Sequence, residues 1–220
     1  MRCSELSVSL GEELAGSAPH APRWQLVVHP GPWARDAVAE VGVVAEDGAK
    51  PLLVRSPIGS GRTFLVCTNG ARDPCCALHG TRVLDALGAR AVACTHLGGH
   101  RFAANVLVLP DNLLFGRLDA ETAIRLAEEL DAGRLPVEHL RGRCELEPEQ
   151  QACEILLRRE LGLRALADTA HRGGTTFATP LGVFDVHVSG ERLPPRRVSC
   201  RDVKEESPIR WRLDTISAHS

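Results

Sequence analysis

Two short blocks of this chain each end an apolar run in metal-binding side chains, and they constrain the fold more than any other feature. The first is Thr63 to Cys67 (TFLVC), rich in branched and aromatic residues and read as a buried strand, with Cys75-Cys76 following soon after. The second is Ala91 to Thr95 (AVACT), a second strand, which runs into His96-Leu-Gly-Gly-His100. Between them Asp73-Pro74 starts a helix, because Asp caps free amides and proline suits the first helical position. Ala77, Gly80, Val83-Leu84 and Leu87 recur at helical spacing, and Gly88 is placed to stop the helix. A strand–helix–strand unit of this kind puts Cys67 at a strand's carboxyl end, where open α/β sheets hold their ligands. Cys75 and Cys76 then fall in the first turn of the helix, where free amides and the helix dipole favour a thiolate.

The chain carries eight cysteines in 220 residues. Nothing behind Arg2 resembles the apolar core of a secretory signal, so the expected location is cytoplasmic and the expected state of the thiols is reduced. Clustered cysteines in that setting point to metal binding or redox chemistry rather than to a disulfide framework. Cys94 reads as a core-facing strand residue, and Cys3, Cys144, Cys153 and Cys200 as structural. A net charge of −2 gives no electrostatic reason to expect a nucleic-acid partner. No apolar run approaches the ~20 residues of a membrane span.

His96 and His100 are four apart, but Gly98-Gly99 between them costs about 1 kcal/mol per residue in a helix, so a loop is expected there. The glutamate of the HExxH zinc-protease pattern is absent. Cys67, one of the Cys75-Cys76 pair, His96 and His100 therefore form the candidate centre. Three chemistries compete for it. A [2Fe–2S] cluster would make the protein an electron carrier, and two sulfur plus two nitrogen ligands also suit tetrahedral Zn²⁺, structural or regulatory. A thiol oxidoreductase is the weakest reading, since no C-x-x-C is present and an adjacent pair makes a strained bridge.

The rest of the chain fills in an α/β plan. Trp24 to His29 and Pro51 to Arg55 read as strands, with a helical stretch inside Ala34 to Val44. Asn105 to Leu109, the Pro110-Asp111-Asn112 turn and Leu113 to Leu118 read as a β-hairpin. Asp119 caps a helix whose Ala123, Ile124, Ala127 and Leu130 share one face, and Gly133 ends it. Glu147-Pro148-Glu149 opens a further helix that Gly162 ends, and Thr175 to Phe177, Val183 to Val188 and Arg210 to Ile216 look like strands. The fold expected is a thioredoxin-like ferredoxin core at 61–135, with an N-terminal α/β extension at 1–60. A C-terminal α+β region at 136–220 packs on that core.

The stretches CTNGARDPCCALHG (Cys67 to Gly80) and CTHLGGHRFAANVLVLP (Cys94 to Pro110) resemble the two signature blocks of the sucrase/ferredoxin-like family. Weaker agreement extends to PGPW (Pro30 to Trp33), FGRL (Phe115 to Leu118) and the helix near Gln151. The resemblance implies a thioredoxin-like ferredoxin fold with a [2Fe–2S] cluster on two cysteines and two histidines. Carried over by position, the ligands are Cys67, Cys76, His96 and His100. It further implies one-electron transfer with a redox partner protein, coupled to a proton through the histidines. The potential would lie above the roughly −400 mV of all-cysteine plant-type ferredoxins. Sugar hydrolysis is not implied, since no carboxylate pair flanks a site for a glycosidic bond.

Overall fold

The computed structural model describes residues 1–203 and 205–219. Seven strands make one mixed sheet: β1 (Trp24–Val28), β2 (Lys50–Val54), β3 (Thr63–Cys67), β4 (Ala91–Cys94), β5 (Val106–Leu109), β6 (Leu113–Phe115) and β7 (Leu140–Arg143). Their order across the sheet is β1-β2-β4-β3-β5-β6-β7. β1 runs parallel to β2, and β3 parallel to β4, while β5, β6 and β7 are each antiparallel to the strand before them in the sheet. Among the described residues five α-helices accompany the strands: α1 (Cys3–Ser9), α2 (Ala37–Val41), α3 (Pro74–Leu87), α4 (Ala120–Asp131) and α5 (Pro148–Leu161).

Every residue of β3 is buried, which is why its sequence is an unbroken apolar run rather than an alternation. Phe64 and Val66 face a core shared with Val83 and Leu87 of α3 and with Ala123, Leu126 and Leu130 of α4. Leu65 and Cys67 face the opposite side, among Leu52, Val54, Cys94 and Leu107. Cys76, in the first turn of α3, joins that second cluster at the strand ends.

A separate four-stranded sheet, β13-β10-β9-β8, is built from β8 (Ala170–Gly173), β9 (Thr176–Thr179), β10 (Gly182–Arg192) and β13 (Ile209–Ala218). It packs Phe177 and Val186 against Cys153 and Leu157 of α5. A two-residue ladder joins β11 (Arg196–Arg197) to β12 (Glu205–Glu206).

Several features depart from the sequence reading, among them β8 and the β11–β12 ladder, which it did not anticipate. α1 and β7 carry no strong periodic signal and were not anticipated. The expected α4 face also needs correction. Ile124 is 43% exposed, and Leu126 takes its place in the core. At 3.6 residues per turn the buried stripe runs through Ala123, Leu126, Ala127 and Leu130, which leaves Ile124 on its outer edge.

Candidate metal centre

The strand–helix turn after β3 is held by side chains on both of its sides. Asp73 caps α3, accepting from the Cys75 amide at 2.9 Å, and Pro74 occupies the first helical turn. Asn69 accepts from the Arg72 amide at 3.0 Å and donates to the Ala34 carbonyl at 3.0 Å. Trp33 donates its indole N–H to Thr68 Oγ1 at 3.0 Å, so the segment before α2 braces the residue next to Cys67. Gly80 lets α3 lie directly on the strand end, where a Cβ would stand 2.1 Å from the Cys67 carbonyl oxygen.

The histidine block after β4 is a loop, as its glycines require. Gly98 and Gly99 both sit in the left-handed region, at φ 83° and 67°, and His100 opens a single 3₁₀ turn. Arg141 of β7 pins this loop from below. Fully buried, it donates to the Gly98 carbonyl at 2.9 Å, to Asn105 Oδ1 at 2.8 Å, and to the Ser17 hydroxyl and carbonyl. Asn105 in turn donates to the Gly99 carbonyl at 3.0 Å. Burial draws the Arg141 guanidinium down to a pKa of about 9.

Cys67, Cys76 and His96 each offer a ligand atom, and these atoms lie within 4.8 Å of one another. The His100 ring stacks on His96 with centroids 4.2 Å apart and planes 19° from parallel. The Nδ1 atoms of both rings are buried without a hydrogen-bond partner. A buried ring nitrogen without a partner is costly unless it has a ligand to hold, so both atoms fit the role of donors to a metal. Cys67 and Cys76 are 1% exposed, His100 is 7% exposed, and His96 is the partly exposed member of the four.

The electrostatics favour the ligating forms. The Cys76 thiol and His96 bond to Cys67 and hold it well below the ordinary thiol range against the cost of burial, while Cys76 is pushed up. Burial, aided by His96, lowers His100 to about 4, which leaves its imidazole neutral at neutral pH. Neutral imidazole and thiolate are the forms that bind metal. Cys94 is wholly buried and its thiol is raised far up by desolvation, in keeping with a core residue. Arg72 and Arg101 are engaged within the chain, Arg72 with Asp36 at 2.9 Å and Arg101 with Glu12 at 2.6 Å.

Cys75 faces away from this group. Its sulfur lies 3.6 Å from that of Cys3 and 3.5 Å from that of Cys200, two residues read from the sequence as merely structural. A hydrogen bond from Cys3 draws the Cys75 thiol down to about 5 against burial, with help from Ser4. The supporting residues Arg141, Asn105 and Asn69 were also missed. Arg141 lies far from the ligands in sequence, Asn105 reads as the start of a strand, and only Asn69's place beside Gly70 pointed to a role.

No helix among the described residues is long and apolar enough to cross a membrane. Searches of curated proteins and of solved structures returned no match. A family model described as sucrase/ferredoxin-like matches residues 44–142. That span holds Cys67, Cys76, His96, His100 and the Arg141 that braces their loop. Through the segment carrying both blocks of the centre, the chain is similar to the sucrase/ferredoxin-like family.

Proposed function

We propose that Cys67, Cys76, His96 and His100 hold a [2Fe–2S] cluster and that the protein carries single electrons to or from a partner protein. The observation that carries this reading is the convergence of two buried sulfurs with a His96 ring nitrogen, within 4.8 Å of one another, beside a His100 ring that stacks on His96; the Nδ1 atoms of both rings have no hydrogen-bond partner. A cluster bound there would supply reversible one-electron chemistry at a potential set by its ligands and surroundings.

The chain's own residues tune that site. Two neutral imidazoles in place of thiolates leave the site less negative, which favours the reduced state. Arg141 adds a buried positive charge behind the loop and fixes the position of the Gly98 carbonyl. If Nδ1 ligates, Nε2 is left to hold an exchangeable proton, and the partly exposed His96 ring is the one that can trade it with solvent. The same exposure makes the histidine side the natural exit for an electron, since the sulfur side is sealed by the core.

The thioredoxin-like reading of residues 61–135 is supported by the strand order β4-β3-β5-β6, with β5 antiparallel to both neighbours. Contact between α3 and α4 over one face of those strands supports it too.

The test is air-free purification with iron, acid-labile sulfide and the visible spectrum measured on one sample. Iron and sulfide in the ratio of one [2Fe–2S] cluster per chain are expected. Cys76→Ser should abolish the spectrum, and His100→Cys should shift it. A protein that stays colourless after reconstitution with iron and sulfide would sink the proposal.

A further inference from the structure

A second set of ligating side chains lies on the other side of the same helical turn. Cys3 of α1, Cys75 of α3 and Cys200, between β11 and β12, converge with Asp73, and their ligand atoms all lie within 4.8 Å of one another. The sulfur of Cys75 stands 3.6 Å from Cys3 and 3.5 Å from Cys200, and Cys3 Sγ is 3.7 and 3.8 Å from the two Asp73 oxygens. In a tetrahedral site with Zn–S bonds of about 2.3 Å, the sulfurs stand about 3.8 Å apart. The spacings here fall within a few tenths of an ångström of that. We propose that Cys3, Cys75, Cys200 and one carboxylate oxygen of Asp73 bind a structural Zn²⁺ ion that clips both ends of the chain to the first turn of α3.

The surroundings are those of a metal ligand set rather than of packed apolar thiols. The Cys3 amide donates to Cys200 Sγ at 3.2 Å, and the Ser4 hydroxyl to Cys75 Sγ at 3.4 Å. Asp73, fully buried, accepts from the Cys75 amide at 2.9 Å, the Cys200 amide at 2.7 Å and Ser199 Oγ at 2.9 Å. Three thiolates and a carboxylate around a divalent ion leave excess negative charge, and these donors face it. Ligating carboxylates are themselves hydrogen-bonded as a rule, which orients them for the metal. Thiolate-rich tetrahedral sets select zinc over the hard cations magnesium and calcium, and four protein ligands with no open position are the mark of a structural site. Cys3 and Cys200 lie outside the segment that matches the family, so this set is a property of this chain and not of that match.

The inference is independent of the cluster, and one experiment keeps them apart. Zinc and iron are measured on the same preparations of wild type, Cys200→Ser, Cys3→Ala and Cys67→Ser, grown with both metals, with circular dichroism as the check on folding. Cys200 sits in a half-exposed segment, so its serine variant is the one least disturbing to the fold. Wild type should carry stoichiometric zinc, and Cys67→Ser should keep it while losing iron. Cys200→Ser and Cys3→Ala should lose at least about tenfold in zinc affinity while keeping iron and the visible spectrum. The proposal is overturned by wild type free of zinc, or by zinc that leaves with Cys67→Ser and stays with Cys200→Ser. A disulfide among Cys3, Cys75 and Cys200 in place of the ion would overturn it equally.

Discussion

Cys75 and Cys76 are neighbours in one helical turn, yet they face groups assembled by different means. Cys76 meets Cys67 and His96 at the ends of two adjacent strands, inside a buried cluster that includes Cys94 and Leu65. Cys75 meets Cys3 and Cys200, which approach from the two ends of the chain across sequence separations of 72 and 125. The first group belongs to the buried ends of the sheet, as the proposed redox centre requires. The second joins the segments of Cys3 and Cys200 to α3, adding to the polar contacts that already hold them, such as Arg117 to Ser7 at 2.9 Å, and there a metal would add attachment rather than reactivity. Iron and zinc content should therefore separate cleanly under mutation, and each substitution below tests that separation.

The largest effect is expected for Arg141→Met. It strands the Gly98 and Ser17 carbonyls and Asn105 Oδ1 in the interior, and losing several buried hydrogen bonds at once costs roughly 3 kcal/mol or more. Chemical denaturation should register that loss, and iron retention should fall with it, because the His96–His100 loop loses its floor. Zinc should stay. Equal loss of both metals would mean that the two groups share one support, and the contrast between them would fail.

Next comes Gly80→Ala. Alanine normally favours a helix, but here its Cβ would stand 2.1 Å from the Cys67 carbonyl oxygen, so α3 must move off the strand end. Overpacking of this kind costs about 1–3 kcal/mol. The shift displaces Cys76 relative to Cys67, while Asp73 and Cys75 travel together with the helix. Iron incorporation should suffer before zinc affinity does, measured by metal analysis at matched expression.

A change remote from both groups sets the baseline. Glu154 of α5 is buried, 3.2 Å from both Arg143 and Arg158, and accepts from Thr169 at 2.6 Å. Burial works to raise its pKa, but the two arginines and Thr169 outweigh it and hold it below 4.5. A carboxylate lowered in the folded state contributes stability that is full above 4.5 and lost as pH falls through the folded value. Glu154→Gln should cost about 1–2 kcal/mol at neutral pH, the gap between charged and neutral hydrogen bonds. It should also flatten the acid limb of the stability profile and leave both metals in place. A variant with unchanged acid sensitivity would show that other carboxylates govern that limb.

The legibility of the two groups in the sequence follows from the same contrast. β3 and α3 are bounded almost residue for residue by TFLVC, Asp73-Pro74 and Gly88, because burial on both faces, a cap and a stop are local signals. The loop at Gly98-Gly99 was equally readable, since two glycines between histidines resist a helix. The Cys3–Cys75–Cys200 group was not, because nothing near Cys3 or Cys200 records which distant side chain it will meet. Arg141 was hidden for a related reason: a single arginine in a short strand looks solvent-facing until the fold places it under a glycine loop. β10 and β13 were read as strands only over Val183 to Val188 and Arg210 to Ile216, shorter than they are, and their pairing, with a register shift between His187 and Val188, was not legible.

The smallest effect is the most discriminating. Ser199→Ala removes one of the donors to the Asp73 carboxylate, a bond of 2.9 Å, and leaves every ligating atom in place. Stability should fall by only about 1 kcal/mol. If Asp73 ligates zinc, loss of a partner that orients it should weaken zinc binding by about tenfold, read by competition with a chelator. Iron and the visible spectrum should not change, because Ser199 touches nothing on the Cys67 side. Unaltered zinc affinity would remove the carboxylate from the ligand set and leave three sulfurs, whose fourth partner would then have to be water. The site would be open rather than closed, and the case for a purely structural ion would go with it.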